Sequence, residues 1–200
     1  MVAADANERS GNGRMIINTA FRLLLTLNAT SLLVIIFLVQ KGYTLGHIFS
    51  GVAWLSWAGM LPNAVSYLLY FLVPVLSTGI SILLSSQLGK DDFKSGEVES
   101  IEHANNSFLP SYLGYFFVAL SIANWETLGF VYSVLFIFTF LSQALYFNPL
   151  FLLFGYEFYN ITTKNGTAIF LISRHKYKRP DEIQIPVAYR INNYTFIERE

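Results

Sequence analysis

The chain has 200 residues, of which 54% are hydrophobic and only 13% charged, with a formal net charge of zero and no cysteine. Soluble domains carry about 25% charged residues, so this balance excludes a disordered chain, which needs low hydrophobicity, and argues against a soluble globular one. The absence of cysteine excludes disulfides, Cys-ligated zinc, iron–sulfur clusters and thiol catalysis. The few charges are clustered: residues 42–89, 48 in all, contain no Lys, Arg, Asp or Glu, and neither do the 30 residues 127–156. Charge-free stretches of this length read as membrane spans.

In chain order, residues 1–14 are polar and read as a flexible cytoplasmic N-terminus. The first apolar run (about 15–40) is interrupted by Arg22, but the 18 residues Leu23–Gln40 are free of charge, enough for one helix with Arg22 at the interface. That run is too long, and lacks a small-residue cleavage site, for a signal peptide. Tyr43–Leu61 is punctuated by Gly46, Gly51 and Gly59 and carries Trp54 and Trp57; it reads as a re-entrant or interfacial element on the outer side. A second span follows over about 63–88, with Pro74 predicted to kink it. Gln87–Ser107 reads as one long polar loop. A third span (about 108–125) begins with Pro110, and Asn124-Trp125-Glu126 makes a short turn into a fourth (about 128–153) with Pro149 near its end. Residues 154–200 change character. Tyr156–Thr163 and Thr167–Ser173 favour strands and flank an Asn165-Gly166 turn. Arg174–Glu182 is a charged loop, and Ile183–Ile185, Val187–Asn192 and Tyr194–Ile197 are shorter strand candidates. The fold class expected is an all-α polytopic membrane protein of four transmembrane helices with a small C-terminal cytoplasmic β-meander of three to five strands.

Basic residues in short loops set orientation. With four spans, twelve of the 13 Lys and Arg fall on one face and Lys41 alone on the other, which puts both termini in the cytoplasm of a bacterial inner membrane. The five Asn-x-Ser/Thr patterns, at Asn28, Asn105, Asn160, Asn165 and Asn193, then never reach the outer side and read as chance matches.

No catalytic constellation is present. His47, His103 and His175 lie at no metal-pair spacing, and there is no nucleophile elbow or phosphate-cradling loop. No metal or cofactor is expected, and an enzyme acting on lipid ranks last among the functions weighed. The spans hold no ionisable group except Arg22, read as a snorkelling interfacial charge or else as a gate or inter-subunit contact. Ser77, Ser81 and Ser85 repeat every four residues on one helix face, the spacing of close helix packing. Pro74 and Pro149 are the candidate hinges. The sharpest polar feature is Arg174-His175-Lys176-Tyr177-Lys178-Arg179, with four fixed positive charges in six residues. Anionic headgroups attract such a run at about 1 kcal/mol per charge. An acidic partner protein or nucleic acid are alternatives, and topology-setting charge in a solvated loop is the plain reading.

The segment Phe147-Asn148-Pro149-Leu150-Phe151-Leu152-Leu153-Phe154-Gly155-Tyr156-Glu157-Phe158-Tyr159, with Asn165-Gly166 and Ile169–Ser173 after it, resembles the junction between membrane and tail in the membrane subunit (KwaA-like) of the bacterial Kiwa antiphage defence system. The architectural likeness covers most of the chain and the local one about 30 residues. The resemblance implies a non-enzymatic homo-oligomer, a tetramer being favoured, that senses envelope disturbance during infection. It also implies a cytoplasmic effector subunit that binds nucleic acid, so that direct nucleic-acid binding by this chain is not expected. The expected function is a sensor or anchor that recruits or regulates that effector, with an oligomeric channel or pore-forming effector as the alternative.

Overall fold

The computed structural model describes residues 2–106, 109–142 and 148–199, with side chains from residue 17 onward except that of Ser111. Among the described residues six α-helical elements, α1 (Val2–Gln40), α2 (Leu45–Ile48), α3 (Asn63–Leu84), α4 (Leu109–Ser121), α5 (Trp125–Ser142) and α6 (Leu150–Leu153), accompany six strands. The strands are β1 (Gly89–Phe93), β2 (Val98–His103), β3 (Glu157–Thr163), β4 (Ala168–Ser173), β5 (Ile185–Arg190) and β6 (Thr195–Ile197). The backbone of α1 is helical from Val2, so the polar start expected to be flexible continues the helix; the side chains of Arg9 and Arg14 lie outside the described residues.

Helix α1 is the central rod. Its residues Phe21, Leu25, Ala29, Leu33 and Phe37 recur every four positions, and all are buried, because that spacing keeps one face turned inward. Helices α3, α4 and α5 all pack on it. At one end Leu33 and Phe37 join Ala119, Ile122 and Leu128 in a cluster. At the other, Phe21 and Leu25 enter a core shared with the sheet.

Three helical stretches, Ile17–Gln40, Asn63–Gln87 and Trp125–Ser142, are long and apolar enough to cross a membrane. The expected four spans are therefore met in part. α4 has 13 residues, about 20 Å of helix against a hydrocarbon core of about 30 Å. The expected fourth span, drawn to residue 153, is shorter than read: α5 ends at Ser142, residues 143–147 lie outside the described residues, and α6 is a separate turn. The α4–α5 turn is present, with Asn124 Oδ1 accepting the Thr127 amide at 2.8 Å as an N-cap.

The largest correction concerns the tail. It is not a meander of its own strands. The sheet order is β1-β5-β6-β4-β3-β2, with β4 and β6 parallel and the other pairs antiparallel. The segment read as a polar loop supplies both edge strands. Its alternation is hidden because only Phe93 and Val98 of those strands are buried. β1 and β2 are joined by a tight turn, Glu97 N–H to Lys94 carbonyl at 3.1 Å, yet lie at opposite edges. Six flat strands would set those edges about 24 Å apart, beyond the roughly 19 Å that five virtual bonds reach, so the sheet curls and its edges converge at this turn. β5 runs through Pro186 as one strand, where the sequence suggests two; the proline sits beside a register shift in β1, where its missing amide is tolerated.

One face of the sheet, with Phe158, Phe170, Ile172 and Ile197, packs on α1, α3 and α6. The other, with Tyr159, Ile161, Leu171 and Phe196, is closed by Phe93, Val98, Ile183 and Tyr177. Strands before α4 and after α5 share one sheet, so the α4–α5 hairpin leaves and returns to the same end of the molecule. Lys90 and Lys94 thereby join the basic residues of the tail.

Candidate functional site

The basic run forms a strap between β4 and β5, laid across the outer sheet face and fastened at two carboxylates. Glu198, following β6, is 5% exposed. It accepts the Ser173 hydroxyl at 2.5 Å and the Tyr177 hydroxyl at 2.9 and 3.0 Å, and His175 Nδ1 lies 3.5 Å away. Glu157, at the start of β3, has the Tyr159 hydroxyl at 2.8 Å, His103 Nε2 at 3.2 Å and Lys176 Nζ at 3.4 Å. The Tyr159 hydroxyl also lies 3.1 Å from the His175 carbonyl, sharing its one proton between the two, and accepts the Tyr177 amide at 3.2 Å. The two latches are thus joined through the strap backbone.

Further along, Arg174 stacks over the Tyr156 ring at 4.9 Å. Glu182 takes the Lys178 amide at 2.9 Å and the Arg179 Nε at 3.2 Å. Most of the run's charge is therefore answered locally. Among the described residues, Lys178 is the member of the run whose charged group has no ion pair or ring contact, and it borders a cleft of about 360 Å³ with Ile101, His103, Glu157 and Tyr177. None of the carboxylates is adjacent in sequence to the charge it meets except those after Arg179. The only sequence signal for them is a lone acid beside an apolar strand, at Glu157 and at Glu198.

The electrostatics keep the latch hydroxyls protonated. Burial pushes the Tyr159 and Tyr177 hydroxyls up, and the negative charge of Glu157 and Glu198 raises them further, so both stay neutral donors. Partial burial raises the Glu157 carboxyl, but hydrogen bonds from Tyr159 and Lys176, the Lys176 charge and His103 outweigh it, leaving it below its ordinary 4.5. A carboxyl lowered in the fold contributes stability that is complete above its ordinary value and lost as pH falls through the lowered one. Wild-type thermal stability is accordingly expected to fall more steeply below pH 4.5 than that of Glu157→Gln, as read by unfolding midpoints across a pH series. Among the described residues no group of three or more His, Cys, Asp or Glu is placed to hold a metal ion.

The remaining sequence candidates fall at the helices. Arg22 donates to the Phe140 carbonyl at 3.3 Å and lies over its ring at 5.1 Å. It thereby ties α1 to α5 from within the helix bundle. Ser81 and Ser85 are buried within the chain, and Ser81 accepts the Asn28 amide at 3.1 Å; Ser77 instead lines an open groove between α1 and α3. Pro74 and Pro149 stand at either end of a short chain of hydrogen bonds. The Thr78 hydroxyl donates to the Pro74 carbonyl at 2.8 Å and accepts the Asn148 side-chain amide at 2.8 Å. Asn148 Oδ1 in turn takes the Leu150 amide at the start of α6. Phe154, just after α6, approaches Gly79, where a Cβ would stand 3.2 Å from its ring. The Pro74 turn of α3 is thereby tied to the segment that enters the sheet; no sequence spacing brings Thr78 and Asn148 together.

A family model described as Anti-phage protein KwaA matches residues 21–197, from the buried Phe21 of α1 to the last strand. The chain belongs to the KwaA anti-phage protein family. The match takes in the helices and the sheet together, so the two-part architecture is the family's unit. The resemblance seen at the membrane–tail junction is thereby met, and the family places the chain in antiphage defence. Comparisons with curated proteins and with solved structures returned no match.

Proposed function

We propose that the protein is a non-enzymatic membrane sensor and anchor that recruits or regulates a cytoplasmic effector in antiphage defence. The observation that carries this reading is the single hydrophobic core in which Phe21 and Leu25 of α1 and Ile82 of α3 pack with Phe158, Phe170 and Ile197 of the sheet. Close-packed interiors transmit displacement rather than absorb it, so a shift of the helices in the bilayer moves the sheet. The reading has four spans, with α4 crossing beside α5, and puts both termini and the sheet on the cytoplasmic side of the inner membrane. The exposed apolar faces of α3 and α5, with Val73, Leu76, Phe130 and Phe138, then meet lipid and sister copies in a homo-oligomer, a tetramer on the family resemblance. The effector, a nucleic-acid-binding subunit on that same resemblance, docks at the strap.

Lys178 is the direct test, because Lys176 and Arg179 are engaged in ion pairs whose loss would also loosen the strap. Lys178→Glu is expected to lower recovery of the co-expressed effector with the tagged membrane protein at equal abundance. Unchanged recovery removes the strap as the docking site.

A further inference from the structure

The end of the molecule away from the sheet carries an element that the strap and the shared core leave unused. Between α1 and α3 the chain forms α2 and an eight-residue 3-10 helix, Ala53–Met60. Eight residues of 3-10 helix rise about 16 Å, so the element caps this end rather than crossing.

It is firmly built. A Cβ on Gly46 would stand 2.5 Å from the Gly59 Cα, so the two halves touch backbone to backbone and only glycine fits at position 46. The Leu45 amide is held by Ser66 Oγ of α3 at 3.1 Å. Tyr43 joins the cap to the rest: its hydroxyl accepts Trp125 Nε1 at 3.2 Å, its carbonyl accepts the Tyr70 hydroxyl at 3.2 Å, and its ring lies 6.5 Å from that of Phe37. Helices α5, α3 and α1 therefore all meet the cap at one residue.

What this cap presents outward is apolar. Trp54 is 77%, Trp57 55% and Met60 89% exposed. Exposed apolar groups gathered on a rigid element mark an interaction surface, and the position says with what. The stretch Asn63–Gln87 has 25 residues, about 37 Å of helix against about 30 Å of hydrocarbon, and its far end is fixed at the sheet. The cap thus stands at the opposite bilayer boundary, where tryptophan is enriched. Leu68 of the following helix α3 is likewise exposed, and residues 42–89 carry no charge to meet a charged partner.

We infer that Trp54, Trp57 and Met60 form a pad seated in the headgroup–acyl boundary of the leaflet opposite the sheet, with Tyr43 fastening this lipid contact to three helices at once. The inference rests on the membrane-spanning reading of α1 and α3 and not on the effector.

The tryptophans supply the probe, since all three in the chain lie at this end. The full chain is reconstituted in phosphatidylethanolamine/phosphatidylglycerol vesicles whose acyl chains carry bromine near the carboxyl end or near the methyl end. Bromine near the carboxyl end is expected to quench the fluorescence more strongly than bromine near the methyl end, with little quenching by aqueous iodide. The Trp54→Phe/Trp57→Phe variant is expected to lose the greater part of the bromolipid quenching. Strong iodide quenching without bromolipid quenching would place the pad in water. Quenching by neither would place it against another protein copy or partner. Bromolipid quenching retained in the double variant would assign it to Trp125. Each of these three results overturns the inference. The pull-down with Lys178→Glu is independent of all of them.

Discussion

Phe158→Ala is expected to be the most damaging single truncation of an apolar side chain, at about 3–5 kcal/mol. Phe158 is fully buried at the point where sheet and helices share a core. Its ring stacks on Phe170 at 5.7 Å and meets Phe151 edge-on at 6.2 Å, and its amide is held by Asn105 Oδ1 at 2.8 Å. Truncation leaves a cavity that the neighbours cannot close, because Phe170 and Phe151 are held in β4 and α6. The loss should appear as a lowered unfolding midpoint in detergent. It should also appear as easier proteolytic release of the tail, since the core being emptied is the one that joins tail to helices. Under the proposed function the same variant uncouples helices from sheet and is expected to lose antiphage protection at equal membrane abundance.

Glu198→Ala comes second, at about 2–3 kcal/mol, because it orphans hydroxyl donors held by a buried charged acceptor. Ser173 is fully buried, and Tyr177 loses the carboxylate to which it is bound. The effect should be local. With its carboxylate gone, the strap lifts, and trypsin, which cuts after Lys and Arg except before proline, should gain access to Lys176 and Lys178. Glu198→Gln keeps an acceptor of the same shape and is expected to retain most of the protection. Equal trypsin resistance of wild type and Glu198→Ala would show that the strap is held mainly by the Glu157 latch and by Tyr177 packing instead.

Both residues illustrate where reading the chain alone succeeds and where it stops. The charge-free stretches over Leu23–Gln40 and 42–89 announce membrane helices because about 20 apolar residues have few other uses. The turn at Asn165-Gly166 and the strands beside it follow from local chemistry, and β3 and β4 lie within a residue of the expected ranges. The turn at Asn124 is legible because a helix N-terminus needs a side-chain acceptor. In contrast, β1 and β2 are polar on most positions and bury one residue each, so nothing in Gly89–Phe93 or Val98–His103 predicts pairing with strands from the other end of the chain. The basic run was visible as charge, but its latches were not, because Glu157 and Glu198 reach it only through β3 and the chain after β6.

The sequence by itself determined that the chain carries helices long and apolar enough to cross a membrane, a β-rich tail, and charges clustered outside those apolar runs. Those properties follow from composition and from the cost of placing charge in hydrocarbon, which act on each segment separately. Only the tertiary structure decided that the loop and the tail are one sheet, that α1 is the rod joining sheet to cap, and that the basic strap is held by the half-buried Glu157 and the buried Glu198. Those are contacts between residues far apart in the chain. Their energy depends on packing and hydrogen-bond geometry that no local pattern encodes.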